Sequence, residues 1–307
     1  MNQKYFIVLS YPKSGTTSVS NLLWSHPNIC LPNVNHNKET WFFSRKQTSS
    51  ISEYLNNYQI LDRCKVFGEV STMVFLNKNQ IDHLYSFFPD AKIIVILRDP
   101  IERAISKYSH IKRRYFISET IEEVLDNEEY VADKYGFTDK SMNDDFFECT
   151  LRYKENTEYL LKIFPKKNIK FFLFEDMVKN DNFSKDIFSF LNVDNIKVVL
   201  PKSNPARMPK SIAVGKIVLY LNKLFLYAGN KSKAIFPASM KNKLLYIYNH
   251  IFNILNMLEE KNMCISKEEV EINPVIVKKL QSQFLEKNSG LSELIGIDIK
   301  KYWKWYV

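Results

Sequence analysis

Apolar residues in this chain fall into short continuous runs separated by longer stretches with helical spacing. The runs at 5–9, 66–70, 92–97 and 169–174 read as strands, and those at 5–9 and 92–97, apolar without a break apart from Lys92, read as buried. The stretches at 17–25, 101–114 and 145–164 place apolar positions at intervals of three and four and read as helices. Strand and helix in alternation is the rhythm of βαβ units, so the chain is expected to be α/β with a central parallel sheet flanked by helices. Residues 1–307 are expected to form one domain, helical from about 205 onward.

The stretch from Ile212 to Leu258 breaks the rhythm. The apolar and aromatic runs Ile217-Val218-Leu219-Tyr220-Leu221 and Leu224-Phe225-Leu226-Tyr227 are mixed there with lysines, and neither run approaches the roughly 20 residues that span a bilayer. Three readings stand open: a helical lid over an acceptor cleft, a membrane-surface patch, and packing against the sheet. Composition changes the picture less. At 307 residues and 45% hydrophobic content a full core can be buried, and a formal net charge of +9 suits an anionic partner. No nucleic-acid motif accompanies that charge.

The first run leads directly into Ser10-Tyr11-Pro12-Lys13-Ser14-Gly15-Thr16-Thr17 and then a helical pattern. The first turn of a helix carries unpaired N–H groups and the positive end of the dipole, so an oxyanion is stabilised there. Gly15 permits close approach, Lys13 adds a cation, and Thr16 and Thr17 add hydroxyls. The segment is not G-x-x-x-x-G-K-[ST], since its lysine precedes its only glycine; a nucleoside triphosphatase or kinase is disfavoured. The run ending at Leu97 is followed by Arg98-Asp99-Pro100, where Asp99 suits a helix cap and Pro100 the first helical position. Ser106 then falls about two turns into that helix, and the Arg98 fork with the Ser106 hydroxyl suits a phosphate monoester.

Together these segments resemble the sulfotransferases that use 3′-phosphoadenosine 5′-phosphosulfate (PAPS), whose fold is P-loop-like with three layers. The resemblance implies that Lys13, Ser14, Gly15, Thr16 and Thr17 bind the 5′-phosphosulfate and that Arg98 and Ser106 bind the 3′-phosphate, with no metal. Lys38-Glu39-Thr40-Trp41-Phe42-Phe43 is similar to the heparan-type carbohydrate branch and implies Glu39 as the catalytic base, with Lys13 stabilising the leaving group. In Gly68-Glu69-Val70-Ser71 the branch's lysine is replaced by Val70. Arg207, after Asn204-Pro205-Ala206, falls where the family returns basic residues to the nucleotide. The implied acceptor is a glycan or glycolipid. The alternatives are a His base, with His36 or His110 acting on a phenolic or lipid alcohol, and a nucleotide-binding module without catalysis.

Cys30, Cys64, Cys149 and Cys264 show no metal or redox spacing and read as reduced, partly buried thiols. The first strand begins within a few residues of Met1, which leaves no length for a signal peptide. The expectation is a bacterial, cytoplasmic enzyme, at most in peripheral contact with the inner face of the membrane.

Overall fold

The computed structural model describes residues 4–32, 39–44, 50–58, 62–127, 130–131, 134, 147–180, 182–198, 207–211, 213–218, 220–221, 250–251, 253–255, 257–258, 261–265, 270 and 272–307. His36, Lys38, Asn204 to Ala206 and all of 222–249 lie outside them, and so does the Arg207 side chain.

Five parallel strands form the central sheet: β1 (Lys4–Ser10), β2 (Ile29–Cys30), β3 (Val66–Ser71), β4 (Lys92–Leu97) and β5 (Ile169–Leu173), in the order β2-β3-β1-β4-β5. The period of two splits each apolar run between two cores. Tyr5, Ile7 and Leu9 of β1 face one core with Ile93, Val95 and Leu97 of β4, whereas Phe6 and Val8 face the other with Ile94 and Ile96. Helices α1 (Thr16–Trp24) and α8 (Phe183–Leu191) cover the second face through Val19, Leu22, Leu23, Ile187, Phe188 and Leu191. The first face is covered by α2 (Ile51–Leu55), α3 (Lys78–Phe87), α4 (Pro100–Tyr115), α6 (Tyr153–Ile163) and α9 (Pro274–Asn288). Short helices α5 (Ile121–Asp126), α7 (Phe174–Lys179) and α10 (Leu291–Ile295) lie between these elements or after them. The closing residues Ile299, Trp303 and Tyr306 belong to the first core.

Where the expectations differ, the reasons are local. The single helix expected at 145–164 is a 3-10 turn (Glu148–Arg152) followed by α6. Arg207 opens a short strand, β6 (Arg207–Pro209), paired antiparallel with β7 (Met263–Ile265), where a loop was expected. The expectation of reduced thiols at Cys30 and Cys64 is corrected: these two form a disulfide. β2 pairs with β3 in a register that sets Cys30 opposite Phe67, which brings the start of β3 alongside β2 and leaves the two Cα atoms 5.8 Å apart.

Candidate active site

The C-terminal ends of β1, β3 and β4 lie side by side, and each delivers part of one site. Strand order reverses around β1, with β3 on one side and β4 on the other, and a crevice at the carboxyl ends of such strands is where open α/β sheets bind ligands.

From β1 the chain enters the loop 11–15. Lys13 and Gly15 both take positive φ, 73° and 82°, on either side of Ser14. Left-handed residues interspersed in this way turn successive N–H groups toward one concavity. Glycine is required at position 15, because a Cβ there would lie 2.5 Å from Cδ2 of Phe174 and 2.7 Å from Cε of Met177. Ser14 is buried and its Oγ has no hydrogen-bond partner, an unmet polar group that an oxyanion in the concavity would satisfy. Thr16 is buried at the start of α1 and Thr17 is exposed.

The loop is held from beneath. Tyr11 is fully buried, packs against Phe75 and Tyr153, and accepts a hydrogen bond from Nδ2 of Asn156 at 2.9 Å. Arg98 donates from Nη1 to the carbonyl of Lys13 at 2.7 Å, and its guanidinium lies 4.6 Å from the centroid of the Phe174 ring. Arg103, fully buried, donates to the carbonyl of Pro12 at 3.4 Å. Two cations therefore hold the loop's carbonyls while leaving it electropositive. Burial lowers the Arg98 pKa, and the carboxylates of Glu102 and Glu175 oppose that shift.

From β4, Asp99 caps α4 by accepting from the N–H groups of Ile101 and Glu102, with Pro100 at the first helical turn. Its other oxygen accepts from Nε1 of Trp305 at 2.8 Å, and its N–H donates to Glu175, which also accepts from Nε1 of Trp303. Burial raises the Asp99 carboxyl to about 6. Ser106 is half-buried on the second turn of α4, and His110 lies one turn beyond it.

From β3, Thr72 donates from its N–H and its hydroxyl to Oε1 of the buried Glu39, at 3.0 and 2.9 Å. Glu69 reciprocates by accepting from the N–H of Thr40 at 3.0 Å. These three crossed bonds clamp residues 39–40 to the end of β3. Leu9 of β1 pairs with Ser71, so Glu39 reaches the sheet edge on the strand next to the 11–15 loop, at a strand spacing of about 4.8 Å. Glu69 is driven to about 7, by burial foremost and also by the charge of Glu39, against the pull of its Thr40 bonds.

The sequence expectations at Lys13, Ser14, Gly15, Thr16, Arg98 and Glu39 thus converge on one edge. The clamp by Glu69 and the supports Arg103, Asn156, Trp303 and Trp305 were missed. Arg103 alone left a signal, a charged residue one step from Ala104 on the face of α4 that packs inward.

A parallel α/β sheet whose central strand leads into a loop with left-handed Lys13 and Gly15, two arginines donating to that loop's carbonyls and a buried carboxylate tied to the residue after the adjoining strand together form a crevice suited to an anionic ligand. The family model described as the sulfotransferase domain matches residues 3–203, and the chain belongs to that family. It is 36% identical over 107 residues to the membrane-associated sulfotransferase kil1 of Dictyostelium discoideum, a match covering 34% of this chain and 22% of that protein. It is 29% identical over 108 residues to the bifunctional heparan sulfate N-deacetylase/N-sulfotransferase 1 of Caenorhabditis elegans, covering 34% and 12%. The matched stretch is thus less than a quarter of either relative's length. Among solved structures, a sulfotransferase from Alicyclobacillus acidocaldarius superposes with a TM-score of 0.65 at 18% identity over 99% of both chains, a likeness of fold.

Proposed function

We propose that this enzyme moves the sulfuryl group of PAPS to a hydroxyl of a glycan or glycolipid, releasing adenosine 3′,5′-bisphosphate. The observation that carries the reading is the placement of Glu39: a buried carboxylate, fixed by Thr72, on the strand end adjoining the anion-turned loop. A sugar hydroxyl is a weak nucleophile and needs an acceptor for its proton as it attacks sulfur, which Glu39 supplies. The loop N–H groups, Ser14 and Thr16 suit the 5′-phosphosulfate, and the Lys13 ammonium offsets charge on the bridging oxygen of the departing nucleotide. Arg98, Ser106 and Arg207 are assigned to the 3′-phosphate. No metal is part of this scheme, since the cations of the chain itself supply the charge. The carbohydrate acceptor is supported by the partial identity to the heparan sulfate enzymes.

The test is Glu39→Gln, which keeps an oxygen for the Thr72 bonds and cannot take a proton. Turnover is expected to fall by about a hundredfold to ten-thousandfold, the usual worth of a general base, with adenosine bisphosphate binding unchanged. Residual turnover above about a tenth would move the base elsewhere, with His110 the next residue to vary. One observation favours a binding module instead. Val70, at the position of the branch's lysine, is fully buried in the core beneath α1 and leaves no cation there. Tight adenosine bisphosphate binding with no transfer to any glycan would establish that reading.

A further inference from the structure

The net positive charge of this chain comes from one stretch. Between Asp194 and Glu259 there is no acidic residue, while ten of the 43 lysines and arginines fall there; the remaining 33 basic and 34 acidic residues nearly cancel. A one-sided charge distribution of this kind signals an interaction with an extended anionic partner.

The described parts of the stretch show what accompanies the charge. Residues 213–218 and 220–221 are helical, as are 250–251, 253–255 and 257–258. Their ends are tied together at Asn262, which donates from Nδ2 to the carbonyl of Ser211 at 2.9 Å and accepts at Oδ1 from the Ser211 N–H at 3.0 Å, beside the β6–β7 pair. One side of each helical segment is packed. Gly215 sits so close to the C-cap of α4 that a Cβ would come 2.0 Å from Cζ of Phe116, and Val218 and Leu255 are buried. Large apolar side chains also occur on the open side. Ile217, Tyr220 and Leu221 are 59%, 63% and 42% exposed, and Ile254, Met257 and Leu258 are 45%, 55% and 45% exposed. Both sets repeat the spacing i, i+3, i+4, which gathers each into a stripe on one helix face. Lys210, Lys216 and Lys261 are exposed beside them.

We propose that this face docks on an anionic lipid bilayer. Lysines with large apolar side chains on an exposed helix face match the interfacial mode, in which the apolar stripe enters the headgroup boundary and the cations meet anionic lipids. A hydrated anionic polysaccharide would use the lysines and leave the six apolar side chains in water, so the apolar stripes decide between the two polyanions. The attachment is peripheral: among the described residues no helix is long and apolar enough to cross a membrane.

The experiment is co-sedimentation of the full chain with vesicles of phosphatidylcholine alone and of phosphatidylcholine with phosphatidylglycerol. Binding is expected to the anionic vesicles alone and to weaken with salt. Lys210→Gln with Lys216→Gln should weaken it by about fivefold per lysine, and Ile217→Ser with Met257→Ser by at least about fivefold at unchanged melting temperature. Failure to bind anionic vesicles, or binding that the Ile217→Ser/Met257→Ser variant leaves intact, overturns the proposal. Capture of soluble dextran sulfate without vesicle binding also overturns it and assigns the face to an acidic glycan.

Discussion

Glu69 and Glu39 share one small buried region, and their burdens differ. Glu69 lies among the hydroxyls of Tyr5, Tyr54 and Tyr58, linked as Tyr5–Tyr54 at 2.7 Å and Tyr54–Tyr58, and it feels the charge of Glu39 beside it. Its carboxyl therefore keeps a proton up to about 7 in the folded protein, against an ordinary value of 4.5. Between those values the folded state binds more protons than the unfolded chain, so stability falls as pH rises through the window and the loss is complete above it. The loss is on the order of 3 kcal/mol at most. Glu69→Gln preserves an acceptor for the Thr40 N–H and removes the titration. Urea unfolding at about pH 5 and about pH 8 should show the variant losing less stability than the wild type over that interval. A residual slope of the same sign belongs to Asp99, raised to about 6. Parallel losses in both proteins would place the titration elsewhere.

At the scale of elements, the loop 11–15 depends on α7 as much as on its own residues. Gly15→Ala would bring a left-handed strain of about 1–2 kcal/mol together with a clash against Phe174 and Met177. The loop must then shift, and calorimetric affinity for adenosine bisphosphate is expected to fall by at least about tenfold, roughly one such contact. Unchanged affinity would show that the loop conformation does not set the anion site. This element is legible in the sequence because its signals are local: an apolar run, a glycine and a helical pattern within about a dozen residues. The Asp99-Pro100 helix start is legible for the same reason. β2, two residues long, has no period to read, whereas α3 carries Ile81, Leu84 and Tyr85 at intervals of three and four. The supports of the site join residues distant in sequence. Arg103 and Pro12 are 91 positions apart, and Trp303 and Glu175 are 128 apart. No spacing rule spans such gaps, so only tertiary packing reveals them.

For the whole molecule, the disulfide alters stability and removes one ground of the expected location. Cys30 and Cys64 close a loop across 34 positions, which by chain entropy stabilises the folded state by about 3–4 kcal/mol relative to the open chain. The expectation of a cytoplasmic enzyme drew partly on reduced thiols, and the disulfide removes that ground at Cys30 and Cys64. Cys64→Ala should therefore lower the unfolding free energy by about 3–4 kcal/mol in denaturant, and a reducing agent should destabilise the wild type and leave the variant unchanged. Adenosine bisphosphate binding should survive the change, because β2 is the edge strand and β3 separates it from the loop after β1. Mass spectrometry after alkylation without reduction provides the direct measurement. Modification of Cys30 or Cys64 in the unfolded, unreduced chain would show that the bond is absent.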